Sequence, residues 1–226
     1  MSENERSNID TGAARAQAEA SMETGQDIFQ RVRDITLEAL TSGQVDTDSI
    51  RQVVGAVTEG VSAGAAKHSD EARETLDQAV KGMDDAMQKT AGATRLAIEE
   101  AAGKVEEFTE QDLKSAVKDL QDLESIFLDT LTDVAKKGGD MASEILGDLA
   151  GHARNTGTGV GEQVGGSVVE LQEKVSRAAE EGLRSGAEAT RGAAEQIARA
   201  ASGFLTGLAD SLQQSGKSED ESGRNG

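Results

Sequence analysis

The sequence lacks several residue types on which other folds depend. It contains no cysteine, proline, tryptophan or tyrosine, and only four phenylalanines among 226 residues. The absence of cysteine excludes a disulfide scaffold and thiolate metal sites, and it fits a reducing compartment. Aromatic side chains bury the most apolar area per residue, so a thick globular core is not expected. We therefore expect stability to come from many small contacts along elongated elements.

The residues that are present favour helices. Alanine, glutamate, glutamine, lysine and arginine are abundant, and these are the best helix formers, while the absence of proline removes the strongest helix breaker. The 26 glycines act in the opposite direction, because each glycine inside a helix costs about 0.5 to 1 kcal/mol relative to alanine. The composition predicts an all-α fold whose helices need packing, self-association or a surface.

The charge balance is strongly acidic. There are 23 basic and 42 acidic residues, which give a formal net charge of −19 spread along the whole chain. Nucleic acids and anionic lipid head groups are poor partners for such a surface, because both bind clustered lysine and arginine. The N-terminal residues lack the apolar run of a signal peptide, and the uncharged run Ala200–Ala209 is too short to cross a bilayer. We expect no transmembrane insertion and a cytoplasmic location.

The chain divides into four predicted regions. Residues 1–24 are small and polar and are predicted to be a disordered tail, as are residues 215–226. Residues 25–66 are predicted to form a short helical hairpin. Residues 67–214 are predicted to form an elongated bundle of long amphipathic helices.

The hairpin is predicted from two amphipathic stripes. The first helix is expected from about Gln26 to Thr41. In the second, Asp46 can cap the free backbone N–H groups, and Val45 can pack on Ile50 as a hydrophobic staple. From Ile50 to Val61 the aliphatic residues follow the spacing of one helix face.

The bundle is predicted from three long segments, at about 69–108, 110–154 and 160–214. The first and third contain an 11-residue repeat, whose period keeps an apolar stripe nearly straight along a helix. In the first segment the repeat aligns three columns: Leu76, Met87 and Ile98; Val80, Ala91 and Ala102; Met83, Thr94 and Val105. In the third it aligns Val164, Val175, Gly186, Ile197 and Leu208; Val168, Ala179, Thr190, Ala201 and Leu212; Leu171, Gly182, Ala193 and Phe204. The small residues around Gly182, Gly186 and Ala193 predict a tight helix crossing.

The middle segment carries the most hydrophobic face of the protein. Phe108 and Leu113 are spaced as a staple across its start. The run KKGG at residues 136–139 predicts a stop, since cations suit the last turn of a helix and glycine suits the position after it. Asp140 can then cap a continuation to about Arg154.

No residue stands out as a catalytic, cofactor-binding or metal-binding candidate. His68 and His152 lie in no cluster of potential metal ligands. Neighbours in a helix point about 100 degrees apart, so the adjacent carboxylates are interpreted as a solvated acidic face and not as catalytic dyads: Asp84 with Asp85, Glu99 with Glu100, and Glu180 with Glu181. Serine, histidine and aspartate are all present, but the sequence supplies no strained elbow of the kind that a hydrolase triad needs.

Gly157, Gly159 and Gly161 lie in a glycine-rich stretch that is similar to phosphate-binding loops. The stretch lacks the preceding strand and the lysine followed by serine or threonine that such a loop requires. The alternative interpretation is a flexible joint before the last helix. We predict the joint, and no cofactor.

Two parts of the chain resemble a family of functionally uncharacterised bacterial helical proteins. They extend from about residue 31 to 64, including VRDITLEALTSGQVDTDSIRQVV, and from about 96 to 151, including EEFTEQDLKSAVKDLQDLESIF. The resemblance implies a helical fold and brings no activity with it. More loosely, the 11-residue repeats resemble those of exchangeable apolipoproteins and late-embryogenesis-abundant proteins. The composition is similar to that of phasins, which coat polyhydroxyalkanoate granules.

These observations favour a non-enzymatic structural or interaction protein. Its amphipathic helices are predicted to form an oligomeric bundle or to coat a hydrophobic surface such as a storage granule, as phasins do. The partner is then another copy of the chain, a protein or a granule surface. A first alternative is a stress-protective, partly disordered protein of the late-embryogenesis-abundant type. A second alternative is an enzyme with no recognisable motif.

Overall fold

The computed structural model describes the chain at residues 10–25, 27–42, 45–67, 71–103, 108, 110–185 and 196–206. Within these residues the fold is all-α and contains no strand, which confirms the predicted class. The helices are α1 (Thr11–Thr24), α2 (Ile28–Thr41), α3 (Thr47–Ala65), α4 (Ala72–Ala102), α5 (Glu110–Lys137), α6 (Asp140–Thr156) and α7 (Gly159–Ser185). Residues 196–206 form a further helical segment.

The repeat in α4 marks a buried face. Leu76, Met87 and Ile98 are fully buried, so the first predicted column faces the core along the whole helix. Val80, Met83 and Ala91 of the other columns are buried as well. Buried alanines fill much of the remaining α4 interface, which fits the expectation of many small contacts: Ala72, Ala79, Ala86, Ala93, Ala97 and Ala101.

Several predicted helix ends are confirmed. The Asp46 carboxylate accepts a hydrogen bond from the Ser49 backbone N–H at 2.8 Å and caps α3. Val45 and Ile50 are both buried, as the staple requires. The middle segment breaks at residues 138 and 139, between α5 and α6, but Gly139 occupies the N-cap position and Asp140 is the first residue of α6.

Residues 11–24, which the sequence analysis assigns to the N-terminal tail, form helix α1 in the structure. Asp10 caps α1 by accepting a hydrogen bond from the Ala13 N–H at 2.9 Å, and the helix ends at Gly25 in the left-handed conformation, with φ of 62°. Ala14, Ala18 and Met22 form its buried face. Alanine gives a weak periodic signal, so this face was not recognised in the sequence. Residues 1–9 lie outside the described part.

The close fit of α1 depends on glycines in a distant helix. A Cβ atom on Gly60 would overlap the backbone carbonyl oxygen of Arg15, and one on Gly64 would lie 2.6 Å from the Met22 Cβ. Lys67, two residues beyond the end of α3, pairs with Glu19 and Glu23 of α1 at 3.0 and 2.9 Å. These pairs, with the contact of Arg15 and Gly60, show that α1 and α3 run parallel.

The predicted separate hairpin differs from the observed packing. α2 packs mainly on α4, while α3 packs mainly on α1 and secondarily on α5. One continuous apolar cluster includes buried residues from all seven helices and from 196–206. The first three helices are therefore part of the bundle, because α2 is covered mainly by α4, and α3 is covered by α1 and by α5.

The third predicted segment is divided. Val164, Leu171 and Val175 are buried in α7, and Ile197 and Ala201 are buried in the helical segment 196–206, in line with the predicted columns. The side chains of residues 178–185, and residues 186–195, lie outside the described part. So do the predicted tight crossing at Gly182, Gly186 and Ala193 and the predicted C-terminal tail.

The glycine contacts give a paired test of the α1–α3 packing. Gly60→Ala should lower the free energy of unfolding by about 1 to 3 kcal/mol, the usual cost of overpacking, because the added methyl collides with the α1 backbone. Gly147→Ala in α6 should raise it by about 0.5 to 1 kcal/mol, since nothing lies within 4 Å of the added methyl. Urea unfolding followed by circular dichroism measures both. Equal effects of the two substitutions would contradict the close crossing.

Candidate functional site

The start of α7 is held by side chains from two other helices. The Asp84 carboxylate of α4 accepts hydrogen bonds from the backbone N–H groups of Gly159, at 2.7 Å, and Val160, at 3.1 Å. Thr158 donates its hydroxyl proton to the Glu124 carboxylate of α5 at 2.6 Å. The same hydroxyl accepts from the Gly161 N–H at 3.0 Å. We call Asp84, Glu124, Thr158 and the N–H groups of residues 159–161 the α7 latch.

The latch satisfies backbone groups that a helix leaves free. The first N–H groups of a helix have no acceptor within the helix, and their partial positive charge attracts carboxylates. Most helices meet this need with a side chain next to their own start. In α7 the threonine does so for one group, and a carboxylate from α4, 75 residues earlier in the chain, does so for two.

Two glycines make room for the carboxylates. A Cβ atom on Gly159 would lie 2.9 Å from the Asp84 Oδ2 atom, and one on Gly161 would overlap the Glu124 carboxylate. Gly157, just before the latch, has φ of 86°, which favours glycine. Of the three glycines singled out in the sequence, Gly157 forms the connection between α6 and α7. Gly159 and Gly161 allow the capping carboxylates to approach the backbone.

The joint is shorter than the glycine content suggested, since α7 is already helical at Gly159 and remains so through Gly165 and Gly166. A phosphate loop also needs free backbone N–H groups. Here those of Gly159 and Val160 are already bonded to Asp84, with Asp85 and Glu124 near enough to act on its charge. The negative charges already present at the start of α7 therefore disfavour the binding of a phosphate or another anion there.

Asp84 is held in an environment that disfavours its charge. Burial raises the pKa of Asp84 above its ordinary value, and the hydrogen bonds from the Val160 and Gly159 N–H groups lower it in part. The negative charges of Asp85 and Glu124 raise the pKa further. The ionised carboxylate thus caps α7 against an opposing cost of burial and repulsion.

A second polar contact fixes α7 farther along. Lys174 donates to the Glu99 carboxylate of α4 at 2.8 Å, and Arg95 pairs with the same carboxylate at 2.8 Å. The hydrogen bond from Lys174 is the largest cause that lowers the pKa of Glu99, and Arg95 adds to it against the effect of burial. Glu99 and Lys174 are also 75 residues apart, so α7 runs parallel to α4.

Between these contacts the α7 interface is a narrow apolar seam. Its buried aliphatic side chains are Val160, Val164, Leu171 and Val175, about one for each turn. Ser167 is buried between them and donates its hydroxyl proton to the backbone oxygen of Gln163 at 2.8 Å. Val169 lies on the outer side and is 64% exposed.

The adjacent carboxylates point to different partners. Asp84 binds the α7 backbone, while Asp85 pairs with Lys89 of its own helix. Glu99 binds Arg95 and Lys174, whereas Glu100 is exposed. The side chains of Glu180 and Glu181 lie outside the described part.

The two histidines are not brought into a site that the structure describes. His152 is exposed on α6, and its backbone oxygen accepts a hydrogen bond from the Thr156 hydroxyl at 3.0 Å. His68 lies outside the described residues. Across the part of the chain with described coordinates, no three histidine or acidic side chains are grouped so as to hold a metal ion.

Two open grooves lie away from the latch. One, of about 440 Å³, lies between α1, α3 and the junction of α5 with α6, and its lining includes Ala63, Val134 and Met141. The other, of about 520 Å³, lies where α1 turns into α2 beside the start of α4, and its lining includes Asp27, Glu71 and Glu74. Among the described helices none is both long and apolar enough to cross a membrane.

The latch was missed by sequence reasoning for a definable reason. Asp84 and Glu124 look like ordinary members of acidic helix faces, and nothing near them in the sequence marks a capping role. The glycines at 157, 159 and 161 were the available signal. A glycine repeat at a helix start indicates that something approaches the backbone, but it does not identify what.

The fold and the latch define a class: an all-α bundle whose α7 is capped by other helices. The particular family follows from the sequence comparison. The chain belongs to DUF6781, a family of unknown function, whose model matches residues 4–214. No curated protein and no solved structure matches the chain.

The raised pKa of Asp84 predicts a specific pH dependence. A carboxyl group that holds its proton more tightly in the folded state adds stability below its ordinary pKa and loses that contribution as the pH rises through its folded-state pKa. Asp84→Asn keeps one acceptor oxygen and cannot ionise. Its free energy of unfolding, relative to the original protein, should therefore increase between pH 4 and pH 7.

Urea unfolding of both proteins at each pH measures this difference. Subtracting one protein from the other removes the pH dependence of the remaining carboxylates, to the extent that they are unaffected by the substitution. A difference that stays constant or falls over this range would contradict the proposed environment of Asp84.

Proposed function

We propose that this protein is a non-enzymatic interaction protein whose amphipathic helices coat an uncharged hydrophobic surface, such as a storage granule in the cytoplasm. The observation that carries the proposal is the division of the helices into one narrow apolar stripe and a broad charged face. In α7 the stripe consists of the buried residues Val160, Val164, Leu171 and Val175. A helix of this kind can place its stripe on an apolar surface and keep its charges in water.

The folded bundle hides these stripes within itself. Among the described residues, the large apolar side chains that are exposed are Leu96, at 36%, and Val169, at 64%. The helices would therefore exchange contacts with each other for contacts with the surface. Adsorption in this proposal requires the bundle to open.

The composition of the core supports such an exchange. Seven of the fourteen buried residues of α4 are alanines, and another of the fourteen is Gly82. An alanine side chain buries little apolar area, and the free energy of burial is roughly proportional to that area, at about 25 cal/mol per Å². Separating helices that meet through small side chains therefore costs less than separating helices that meet through aromatic ones.

The charge supports a surface that is uncharged. With a net charge of −19, the protein gains no attraction from anionic lipid head groups. On a neutral particle the same charge would produce repulsion between coated particles and keep them dispersed. A coat that also prevents fusion of the particles fits both properties.

Adsorption to defined particles tests the proposal. The purified protein is mixed with polyhydroxybutyrate particles or with triolein droplets coated with phosphatidylcholine, and the bound fraction is measured after centrifugation. We expect binding, a more negative particle surface potential and helical circular dichroism in the bound protein. Droplets that contain an anionic lipid are the matched control and should bind less.

Other outcomes would select other functions. Protein that remains a free monomer beside every particle would contradict the proposal. A defined oligomer in light scattering without adsorption would favour an oligomeric bundle. Low helicity in dilute buffer that rises on drying would favour the stress-protective alternative.

A further inference from the structure

We infer that α7 is the opening arm of the bundle: it swings away about Gly157 and Thr158 when the latch to Asp84 and Glu124 breaks, which exposes its own apolar stripe and the surface of α4 and α5 beneath it. This inference rests on the proposed function, because it names the part of the fold that opens.

The connection allows the movement. The C-terminal end of α6 is joined to α7 by Gly157, with φ of 86° and ψ of 167°, and by Thr158. α7 packs on α4 and α5 and has no comparable contact with α6. Rotation at these two residues would therefore move α7 without bending α6 or disturbing the packing of α1, α2 and α3.

The contacts of α7 are sparse compared with those of the other long helices. Among its residues 159–177, whose side chains the structure describes, four aliphatic side chains are buried. Along its 28 residues α5 buries nine large apolar side chains and two alanines: Leu113, Ala116, Val117, Leu120, Leu123, Ile126, Phe127, Leu128, Leu131, Val134 and Ala135. The exposed Gly165 and Gly166 also weaken the helix itself. Elements with few buried apolar contacts open before the rest of a protein unfolds.

The latch lies at the point where it controls this movement. It bonds the residues directly after the hinge, so α7 cannot rotate while Gly159 and Val160 stay on Asp84 and Thr158 stays on Glu124. The carboxylates repel each other and burial opposes the charge of Asp84. The hydrogen bonds of the latch therefore hold α7 against these two opposing effects.

Three further attachments must also break. The Gln88 amide leaves the Gly159 carbonyl oxygen, Lys174 leaves Glu99, and the helical segment 196–206 releases Ile197, Ala201 and Leu205 from the common core. The surface that becomes accessible includes the face of α4 from Asp84 to Glu99, where Gln88 donates a hydrogen bond to the Gly159 carbonyl oxygen and Gly92 lies near Gln163. The released arm would then present its apolar stripe of Val160, Val164, Leu171 and Val175.

Hydrogen exchange tests the opening directly. In the full chain, backbone amides of residues 159–177 should exchange faster than those of α4 and α5, because they exchange when the arm opens. Asp84→Ala removes both acceptors from the cap and should raise exchange in α7 by roughly 2- to 30-fold, from the usual cost of a lost cap. Asp77→Ala is the matched control, since Asp77 lies on the same helix and pairs with Lys81 of α4.

A covalent lock tests the hinge. The overlap of a Gly161 Cβ with the Glu124 carboxylate puts the Cβ atoms of these two positions roughly 5 Å apart or less. The chain has no cysteine, so the double variant Glu124→Cys with Gly161→Cys can form a single defined disulfide. Oxidised, it should slow exchange in α7 below that of the original protein; reduced, it should exchange faster, because Glu124 is lost from the latch.

The same variants separate this inference from the proposed function. We expect loss of adsorption to phosphatidylcholine-coated triolein droplets in the oxidised double variant, recovery on reduction, and faster adsorption of Asp84→Ala. Adsorption of the oxidised form as strong as that of the reduced form, where the reduced form does bind, would overturn the inference. So would α7 exchange that is as slow as that of α5 and unchanged by Asp84→Ala. If the disulfide slows hydrogen exchange in α7 but no variant adsorbs to the droplets, the result would support the opening of α7 and contradict the proposed surface function.

Discussion

Burial of narrow apolar stripes between helices is the interaction on which the rest of this structure depends. The chain has four phenylalanines and no other aromatic residue, so no cluster of large rings organises the core. Aliphatic side chains fill the positions where helices are well separated, and alanine or glycine occupies the positions where they approach closely. At the closest crossings the packing reaches the backbone itself, as where Gly60 meets α1 and Gly82 meets the Phe29 carbonyl group of α2. Stability is then distributed over many contacts, each of which contributes little.

The sequence predicted the parts of this fold that depend on local periodicity. The stripes of α3, α4 and α5 contain enough valine, leucine, isoleucine and methionine to show their period, and the cap at Asp46 lies beside the helix that it serves. The buried face of α1 escaped recognition because Ala14 and Ala18 differ little from their exposed alanine neighbours. The packing of α2 on α4, and of α1 on α3, could not be predicted either, because amphipathic helices of similar composition have several possible neighbours. Contact with Gly60, Gly64 and Gly82 selects among them through shape.

The latch illustrates the same limit for the candidate site. A helix cap is readable from the sequence when the capping residue precedes the helix, as Thr158 does for α7. It is not readable when the acceptor comes from another helix, since the spacing of Asp84 and Gly159 depends on how α4 and α7 are aligned. The glycines indicated close approach to the backbone, and two interpretations remained open, a phosphate loop and a joint. The structure fills the position with carboxylates of the chain itself.

The acidity of the protein and the capping of α7 are linked through Asp84. A carboxylate at a helix start gains from the aligned peptide dipoles and from two N–H donors, an effect of about 0.3 to 2 kcal/mol. In a chain of net charge −19, the same carboxylate has acidic neighbours, here Asp85 and Glu124, which reduce that gain. A lysine or arginine beside Asp84 would hold α7 more tightly at this point. Such a cation is present farther from the hinge, where Lys174 forms an ion pair with Glu99. Beside the joint, Asp84 therefore holds α7 through two backbone hydrogen bonds against the costs of its burial and of repulsion from Asp85 and Glu124.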